Sequence, residues 1–248
     1  MLIKNARIDD HWVDLRIDLT VQAIGPQLEA MPDETMLDAR GGELLPGLYD
    51  HHMHLFAAAA AHESVDCNVG AGTLSQCRDL LATRLQQASG DDWIRGVDYQ
   101  EQQIGEFDRW QLDELCSTRP VRMQHRSGKV WVCNSLALQE LGLKDGDRID
   151  GLEVDRRGVL TGRIVRNDSL LAERMRRAKA NQPPDIAAYS RLLASHGIVG
   201  ITDTSASNTL DTRADFQHLS ASGDLLQRTA LMGGDDFDGG YLKILLDE

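Results

Sequence analysis

The chain has 248 residues, of which 42% are hydrophobic, and its formal net charge is −13 at pH 7 with a pI near 5.0. This length and composition allow a packed core in one large domain or two small ones. The acidic balance argues against nucleic acid or an anionic membrane surface as the main partner.

The N-terminal segment, residues 1–44, is predicted to be a small unit of short β-strands. Strands are expected over residues 2–8, 13–21 and 36–39. Residues 13–21 alternate strictly between apolar and polar side chains, which is typical of a strand with one buried face. Ile24-Gly25-Pro26 is a turn signal that ends this strand.

After residue 44 the pattern changes to alternating strands and helices. The elements expected in chain order are a helix over 74–85, strands over 93–97 and 120–125, a short helix capped by Asn134 or Ser135, a loop or small hairpin over 143–163, a helix from Asp185 to about 193, a strand over 198–202, a helix over 213–222 that Gly223 ends, and strands over 228–232 and 241–246. Such alternation indicates βαβ units and a parallel sheet.

These elements predict an α/β fold that contains an incomplete (β/α)₈ barrel. A complete barrel takes roughly 250 residues, whereas the residues after position 44 hold at most six strand candidates. The chain also stops within two residues of an apolar strand, which would leave a bare sheet edge. We therefore expect a small β-domain over 1–44 and a partial barrel over 45–248. An open doubly wound α/β sheet is the alternative, although the chain lacks a Gly-rich phosphate fingerprint.

The sequence gives no sign of export or membrane insertion. No apolar run approaches the roughly 20 residues of a membrane-spanning helix, and the N-terminus lacks the apolar core of a signal peptide. The four cysteines form no CxxC pair. We therefore expect a cytoplasmic protein with reduced thiols.

Residues 46–54, Pro-Gly-Leu-Tyr-Asp-His-His-Met-His, carry the clearest functional signal. Because side chains alternate along a strand, Asp50, His52 and His54 should project together and His51 should point the other way. Two imidazoles on one face can bind one metal ion, and imidazole suits zinc, iron, nickel or copper. We predict His52 and His54 as metal ligands and Asp50 as a carboxylate that orients an imidazole. The alternative is a pair of hydrogen-bonded core histidines.

This segment is similar to the Pro-Gly-x-x-Asp-x-His-x-His signature of the amidohydrolase superfamily. Further blocks resemble one branch of it, the N-substituted formamide deformylase-like enzymes of amidohydrolase family 3. These blocks are Trp93-Ile94-Arg95-Gly96, residues 127–138, Thr161-Gly162-Arg163-Ile164, residues 197–202, and Leu242-Lys243-Ile244 with Asp247. Their order makes the resemblance span the whole chain.

The resemblance implies a composite fold, in which both chain ends build a small β-domain and the metallohydrolase barrel lies between them. It also implies one or two divalent metal ions, with zinc favoured. Water activated by the metal would hydrolyse a non-peptide C–N bond of a small amide or formamide. The later family strands supply further His ligands and an Asp that handles the proton, and no segment of this sequence matches them.

The resemblance also suggests roles for two lysines. A lysine carbamylated by CO₂ becomes an anion that can bridge two metal ions, and the family context allows this role for Lys243. The alternative for Lys243 is an ion pair with Asp247. Lys129 stands where the family usually has His and is a candidate substrate contact. Otherwise Lys129 is a surface lysine whose stem packs beneath its charge.

Two functional hypotheses follow. In the first, the chain is the N-terminal half or subunit of a metal-dependent amidohydrolase and is inactive until a C-terminal partner chain or a second copy completes the barrel. In the second, it is a non-catalytic, degenerate fragment that self-associates or binds a partner through its open barrel edge. Neither hypothesis involves nucleic acid or a membrane.

Overall fold

The computed structural model describes residues 1–88, 93–180, 183–234 and 241–242. The strands in this part of the chain are β1 (Leu2–Ile8), β2 (His11–Ile17), β3 (Val21–Gly25), β4 (Met36–Asp38), β5 (Leu48–Met53), β6 (Val65–Asp66), β7 (Ile94–Tyr99), β8 (Val121–His125), β9 (Val130–Cys133), β10 (Leu152–Val154), β11 (Leu160–Val165), β12 (Ile198–Asp203), β13 (Arg228–Gly233) and β14 (Tyr241–Leu242).

The helices are short, and several begin at polar residues that cap their first amides. They are α1 (Leu55–His62), α2 (Leu74–Gln87), α3 (Glu101–Ile104), α4 (Arg109–Leu115), α5 (Ser135–Glu140), α6 (Asp168–Arg177), α7 (Ile186–Ser195) and α8 (Leu210–Ser222). None of the described helices is long and apolar enough to cross a membrane.

The N-terminal sheet has the strand order β3-β2-β1-β4. Its core is small and consists of Ile3, Ala6 and Leu15 with partly buried neighbours. The expected strand over 13–21 is interrupted, because β2 ends at Ile17 and the chain turns before β3 begins at Val21. The Asp18 amide donates to the Thr20 carbonyl at 3.0 Å within that turn. The remaining expected strands of this unit lie where the sequence pattern places them.

A second sheet has six strands in the order β10-β11-β9-β8-β7-β6. Strands β6, β7 and β8 run parallel, and the hairpin partners β9, β11 and β10 are antiparallel. The sequence pattern assigns β7 and β8 to the barrel. In the structure they belong to this mixed sheet, because β8 pairs with the antiparallel strand β9 that follows it. Helices α2 and α4 pack against its core through Cys77, Leu81, Leu85 and Leu112.

The third sheet has the order β14-β13-β12-β5, and each of its strand pairs is parallel. Its spatial order follows the chain order of the strands, as in successive strands of a (β/α)₈ barrel. Helices α1, α7 and α8 contribute to its core, which includes Met53, Leu55, Leu193, Ile201 and Phe216. The described strands form an open sheet and no closed barrel, so the mixed α/β class is confirmed and a complete barrel is not.

The six-stranded sheet is inserted between two neighbouring strands of the parallel sheet. Strand β5 pairs directly with β12, although about 145 residues separate Leu48–Met53 from Ile198–Asp203 in the sequence. The inserted segment leaves after α1 and returns before α7, and its two ends are in contact. The Asp185 amide donates a hydrogen bond of 2.6 Å to Glu63 Oε1.

Candidate metal centre

His52 and His54 lie at the C-terminal end of β5, where the strand leads into α1. Their ring centroids are 5.7 Å apart and the ring planes meet at 83°. Both side chains are exposed. The two imidazoles therefore lie close together, although the register of β5 against β12 shifts between Asp50 and Met53, so strict alternation does not run through this segment. The C-terminal ends of parallel strands are where α/β proteins place their ligand sites.

The opposite side of β5 is held by Tyr49 and His51, whose rings stack at a centroid distance of 4.5 Å. The Tyr49 hydroxyl donates to the Ile201 carbonyl at 3.0 Å. This ring lies directly over Gly200, where an added Cβ would come within 2.4 Å of it. A glycine in β12 is therefore needed for the close approach of the two strands. His51 points away from the His52 and His54 pair, as expected.

His54 is oriented by a residue from the end of the neighbouring strand. Its Nδ1 lies 2.8 Å from Ser205 Oγ, and Ser205 follows directly after β12. When Nδ1 carries the proton and donates to Ser205, Nε2 keeps the lone pair that a metal ion requires. Within the described part of the chain, the His52 ring makes no hydrogen bond, so both of its nitrogens are accessible.

Asp50 is half-buried and accepts a hydrogen bond of 2.9 Å from the main-chain amide of His52. This contact fixes the backbone of β5 rather than an imidazole ring. Burial, and after it the charge of Asp50, raise the pKa of Tyr189. Orientation of an imidazole by Asp50 remains a prediction.

A buried carboxylate connects the ends of β5 and β12. Asp203 Oδ2 accepts from the Leu55 amide at 2.7 Å, and Oδ1 accepts from the Ser205 amide at 3.0 Å and from Asn208 Nδ2 at 2.9 Å. Asn208 also donates to the Met232 carbonyl at the end of β13. Asp203 therefore fixes the backbone immediately after His54 and at Ser205.

Sequence reasoning did not single out Asp203, Ser205 or Asn208. The available signal was a run of polar residues, Asp203-Thr204-Ser205, immediately after a buried strand. That position is the one at which parallel strands present functional side chains.

Of the two lysines predicted to have a role, Lys129 lies within the described residues and Lys243 lies outside them. Lys129 is exposed in the turn between β8 and β9, where its carbonyl accepts from the Arg166 amide at 2.8 Å and its own amide donates to Ser127 Oγ at 3.3 Å. Its contact with substrate stays a prediction. Lys243, the predicted carbamylated ligand, and Asp247 lie outside the described residues.

The donor chemistry fits part of a metal site. Two adjacent, solvent-accessible imidazoles are ligands that a divalent transition metal accepts. Within residues 1–88, 93–180, 183–234 and 241–242, no group of three or more His, Cys, Asp or Glu side chains is arranged to hold a metal ion. The described residues therefore offer two candidate ligands, fewer than the three or four that protein sites usually provide.

Comparison with known proteins gives consistent matches. The model of the Amidohydrolase family matches residues 35–247. An N-substituted formamide deformylase from Arthrobacter pascens is 31% identical over 118 residues, which are 46% of this chain and 22% of that protein.

Two solved structures share the fold. An uncharacterized metal-dependent hydrolase from Pyrococcus horikoshii OT3 superposes with a TM-score of 0.63 at 19% identity, over 94% of this chain and 48% of the other. One from Pyrococcus furiosus superposes with a TM-score of 0.59 at 19% identity, over 94% and 49%. The chain thus spans about half the length of these solved relatives.

Proposed function

This chain belongs to the amidohydrolase family, and on that premise we propose that it supplies the first two metal ligands of a site that hydrolyses a non-peptide C–N bond. Family membership supports a hydrolase role. The amide or formamide class of substrate is our proposal, and the partial likeness to an N-substituted formamide deformylase supports it.

The observation that carries the proposal is the placement of His52 and His54. Their rings lie side by side at the C-terminal end of a parallel strand and are open to solvent. Core histidines in a hydrogen-bonded pair would instead be buried and partnered. Ser205 holds one ring by its Nδ1 and leaves Nε2 directed elsewhere.

When bound, a divalent metal, with zinc favoured, would activate water and polarise the substrate carbonyl. The residues of this chain would hold and position that ion. His52 and His54 would ligate it, Ser205 would fix the tautomer of His54, and Asp203 would fix the backbone of both strand ends. We retain Asp50 as an orienting carboxylate, Lys243 as a bridging ligand after carbamylation, and Lys129 as a substrate contact.

We further propose that a C-terminal partner chain or a second copy completes the site. In the described part of the chain, β5 has a strand partner on one edge only. On this edge strand Leu48 is 55% exposed, and on the neighbouring strand β12 Val199 is 53% exposed. Large apolar side chains grouped on a surface are typical of an interface. All four cysteines are buried free thiols, which is consistent with a cytoplasmic setting.

Zinc binding to the purified chain tests the metal site. We expect His52→Ala and His54→Ala each to weaken zinc binding by about tenfold or more in calorimetric titration, since each removes one ligand. His51→Ala is the matched control, because it removes an exposed imidazole of the same strand that faces away. Equal zinc affinity in all four proteins would refute the site.

A non-catalytic role is the second candidate function, and it is favoured by the lack of a third ligand among the described residues. Hydrolysis of an N-substituted formamide, measured for the chain across a range of concentrations and with zinc added, separates the two functions. Hydrolysis that His52→Ala abolishes supports the enzyme. Concentration-dependent association without hydrolysis supports the binding role.

A further inference from the structure

Two arginines stand side by side in the six-stranded sheet, and neither has an acidic partner among the described residues. Arg95 on β7 and Arg122 on β8 occupy paired register positions. Both guanidinium groups lie over the ring of Trp131 on β9, at 5.7 Å and 5.3 Å from its centroid. Arg95 also donates to Ser64 Oγ at 2.9 Å. The indole face stabilises the two cations in part, but it neutralises neither of them.

Arg122 has fewer hydrogen-bond partners than Arg95. Its Nε is buried and has no hydrogen-bond partner. Burial, and after it the neighbouring Arg95, lower the pKa of Arg122 to about 10. Burial also lowers the pKa of Arg95. Within the described residues, no carboxylate forms an ion pair with either guanidinium. A partly buried cation without a counter-ion and with an unpaired buried donor is costly, so such a group calls for an explanation.

Both arginines line a cavity of about 490 Å³. The cavity walls also carry Lys179 and two carboxylates, Glu63 and Glu140. These carboxylates are already engaged, because Glu63 accepts from the Asp185 amide and Glu140 accepts from the Trp93 indole at 2.5 Å. Among the described lining residues, three cations and two carboxylates leave a net positive charge.

The cavity is separate from the candidate metal centre. His54 directly precedes α1, whereas the cavity contacts Ala60 near the end of α1 and Glu63 just beyond it. The eight residues of α1 span about 12 Å. The cavity thus lies where the inserted sheet joins the parallel sheet, at the far end of this helix.

We propose that this cavity binds a small molecule through a carboxylate or phosphate group, with Arg95 and Arg122 as the paired anion ligands. A guanidinium matches the two oxygens of either group with a planar pair of donors. The cavity is larger than an inorganic ion requires, so an organic acid or a phosphorylated metabolite of a few carbon atoms fits its size.

Calorimetric titration of the full chain with sodium succinate and with sodium phosphate, at constant ionic strength set by chloride, tests this proposal. We expect saturable binding of at least one of the two probes, and the one that binds more tightly identifies the anion class. Arg122→Met and Arg95→Met should each weaken that binding by roughly tenfold or more.

Arg109→Met is the matched control, because Arg109 also lies over an indole, 4.8 Å from the centroid of Trp110, and also has a buried Nε without a partner. This variant should bind the probe as the wild type does. Without a probe, Arg122→Met should unfold at the same temperature as the wild type or a higher one, since it relieves an unpaired charge. If Arg122→Met does not fold, Arg122→Lys replaces it in the comparison. Lysine keeps the positive charge but lacks the planar pair of donors of the guanidinium.

Two results would overturn the proposal. One is a Kd above about 10 mM for both probes. The other is equal binding by the wild type and the folded variants at positions 95 and 122. Neither result depends on the metal site or on hydrolysis, so the outcome is independent of the proposed enzymatic function.

Discussion

The carboxylate of Asp203 accepts a hydrogen bond of 2.7 Å from the main-chain amide of Leu55, which lies 148 residues earlier in the chain. Leu55 is the first residue of α1 and follows His54 directly. The bond thus joins the end of β12 to the start of the helix that directly follows the second predicted ligand, His54. It satisfies one of the first amides of α1, which lack partners within the helix.

Removal of this carboxylate should be strongly destabilising. Asp203→Ala leaves the Leu55 and Ser205 amides and the Asn208 side chain without their acceptor, and we expect a loss of about 3 kcal/mol in the free energy of unfolding. Urea denaturation measures the change. Asp211→Ala, at an exposed position in the first turn of α8, is the control and should cost no more than about 0.5 kcal/mol. Similar losses in the two variants would contradict the role of Asp203.

A second stability prediction concerns Asn134, which is fully buried before α5. Its Oδ1 accepts from the Val121 and Ala137 amides, and its Nδ2 donates to the carbonyls of Cys116 and Arg119. Asn134→Ala leaves all four groups unpaired, so we expect it to lower the free energy of unfolding by about 3 kcal/mol.

The control for Asn134 is a cap of the ordinary kind. Thr73 caps the Gln76 amide of α2 from an exposed position. Thr73→Ala should therefore cost about 1 kcal/mol. Thermal and urea denaturation measure both variants. A loss at position 134 no larger than the loss at position 73 would show that the extra hydrogen bonds contribute nothing.

The N-terminal sheet predicts a pH dependence of stability. A hydrogen bond from Lys4 and another from the Leu28 amide lower the pKa of Asp14 from 3.8 to about 2. Because the folded pKa lies below the unfolded one, Asp14 stabilises the fold fully above pH 3.8, and this contribution is lost as pH falls towards 2. Arg16, followed by the Met31 amide, lowers the pKa of Glu34 to about 2 and acts in the same direction.

Chemical denaturation at several pH values between about 2 and 5 tests the effect. Asp14→Asn should flatten the rise in stability across this range. Asp10→Asn changes a side chain that is 94% exposed and should leave the slope unchanged. A slope that is the same for the wild type and Asp14→Asn would contradict the assignment.

The open edge beside β5 predicts self-association if a second copy completes the site. Leu48→Lys places a charge on the edge strand itself, and we expect it to reduce the association constant by about tenfold or more. Val199→Lys places a charge on the neighbouring strand β12 and should have a smaller effect. Sedimentation velocity over a range of concentrations measures this. Leu19→Lys is the control, because Leu19 is 96% exposed in a turn of the N-terminal sheet. A wild-type chain that stays monomeric would instead favour a separate partner chain.

Local sequence signals predicted most of the individual elements. Alternation located β2, although that strand ends at Ile17, and helical spacing located α2, whose Cys77, Leu81 and Leu85 are buried. Asn134 was correctly predicted as a cap. Gly223 ends α8 in the left-handed conformation, as expected. These features depend on residues only a few positions apart, so they can be read from the sequence.

Some local signals were overlooked. Helix α6 was not predicted, although Asn167 caps it and three of its apolar residues, Leu170, Leu171 and Met175, are buried. Three arginines in its last turn also suit a helix C-terminus.

The assignment of strands to sheets could not be read from the sequence. The sequence pattern of a parallel strand is the same whether the strand pairs with the next one along the chain or with a distant one. Strand β5 pairs with β12, about 145 residues away. The His52 and His54 pair was identified because both residues lie on one strand. Ser205 and Asp203 reach the His52 and His54 pair only because β5 pairs with the distant strand β12. Their roles therefore could not be predicted from the sequence.

The contact between Glu63 and Asp185 has a consequence for the architecture of the molecule. The chain segment 64–184 begins and ends next to this contact, so it leaves the parallel sheet and returns to it at the same place. The pairing of β5 with β12 uses no residue of this segment. Segment 64–184 is thus an insertion in the parallel sheet. We expect that shortening it, or replacing it with a short linker, leaves the strand order β14-β13-β12-β5 unchanged.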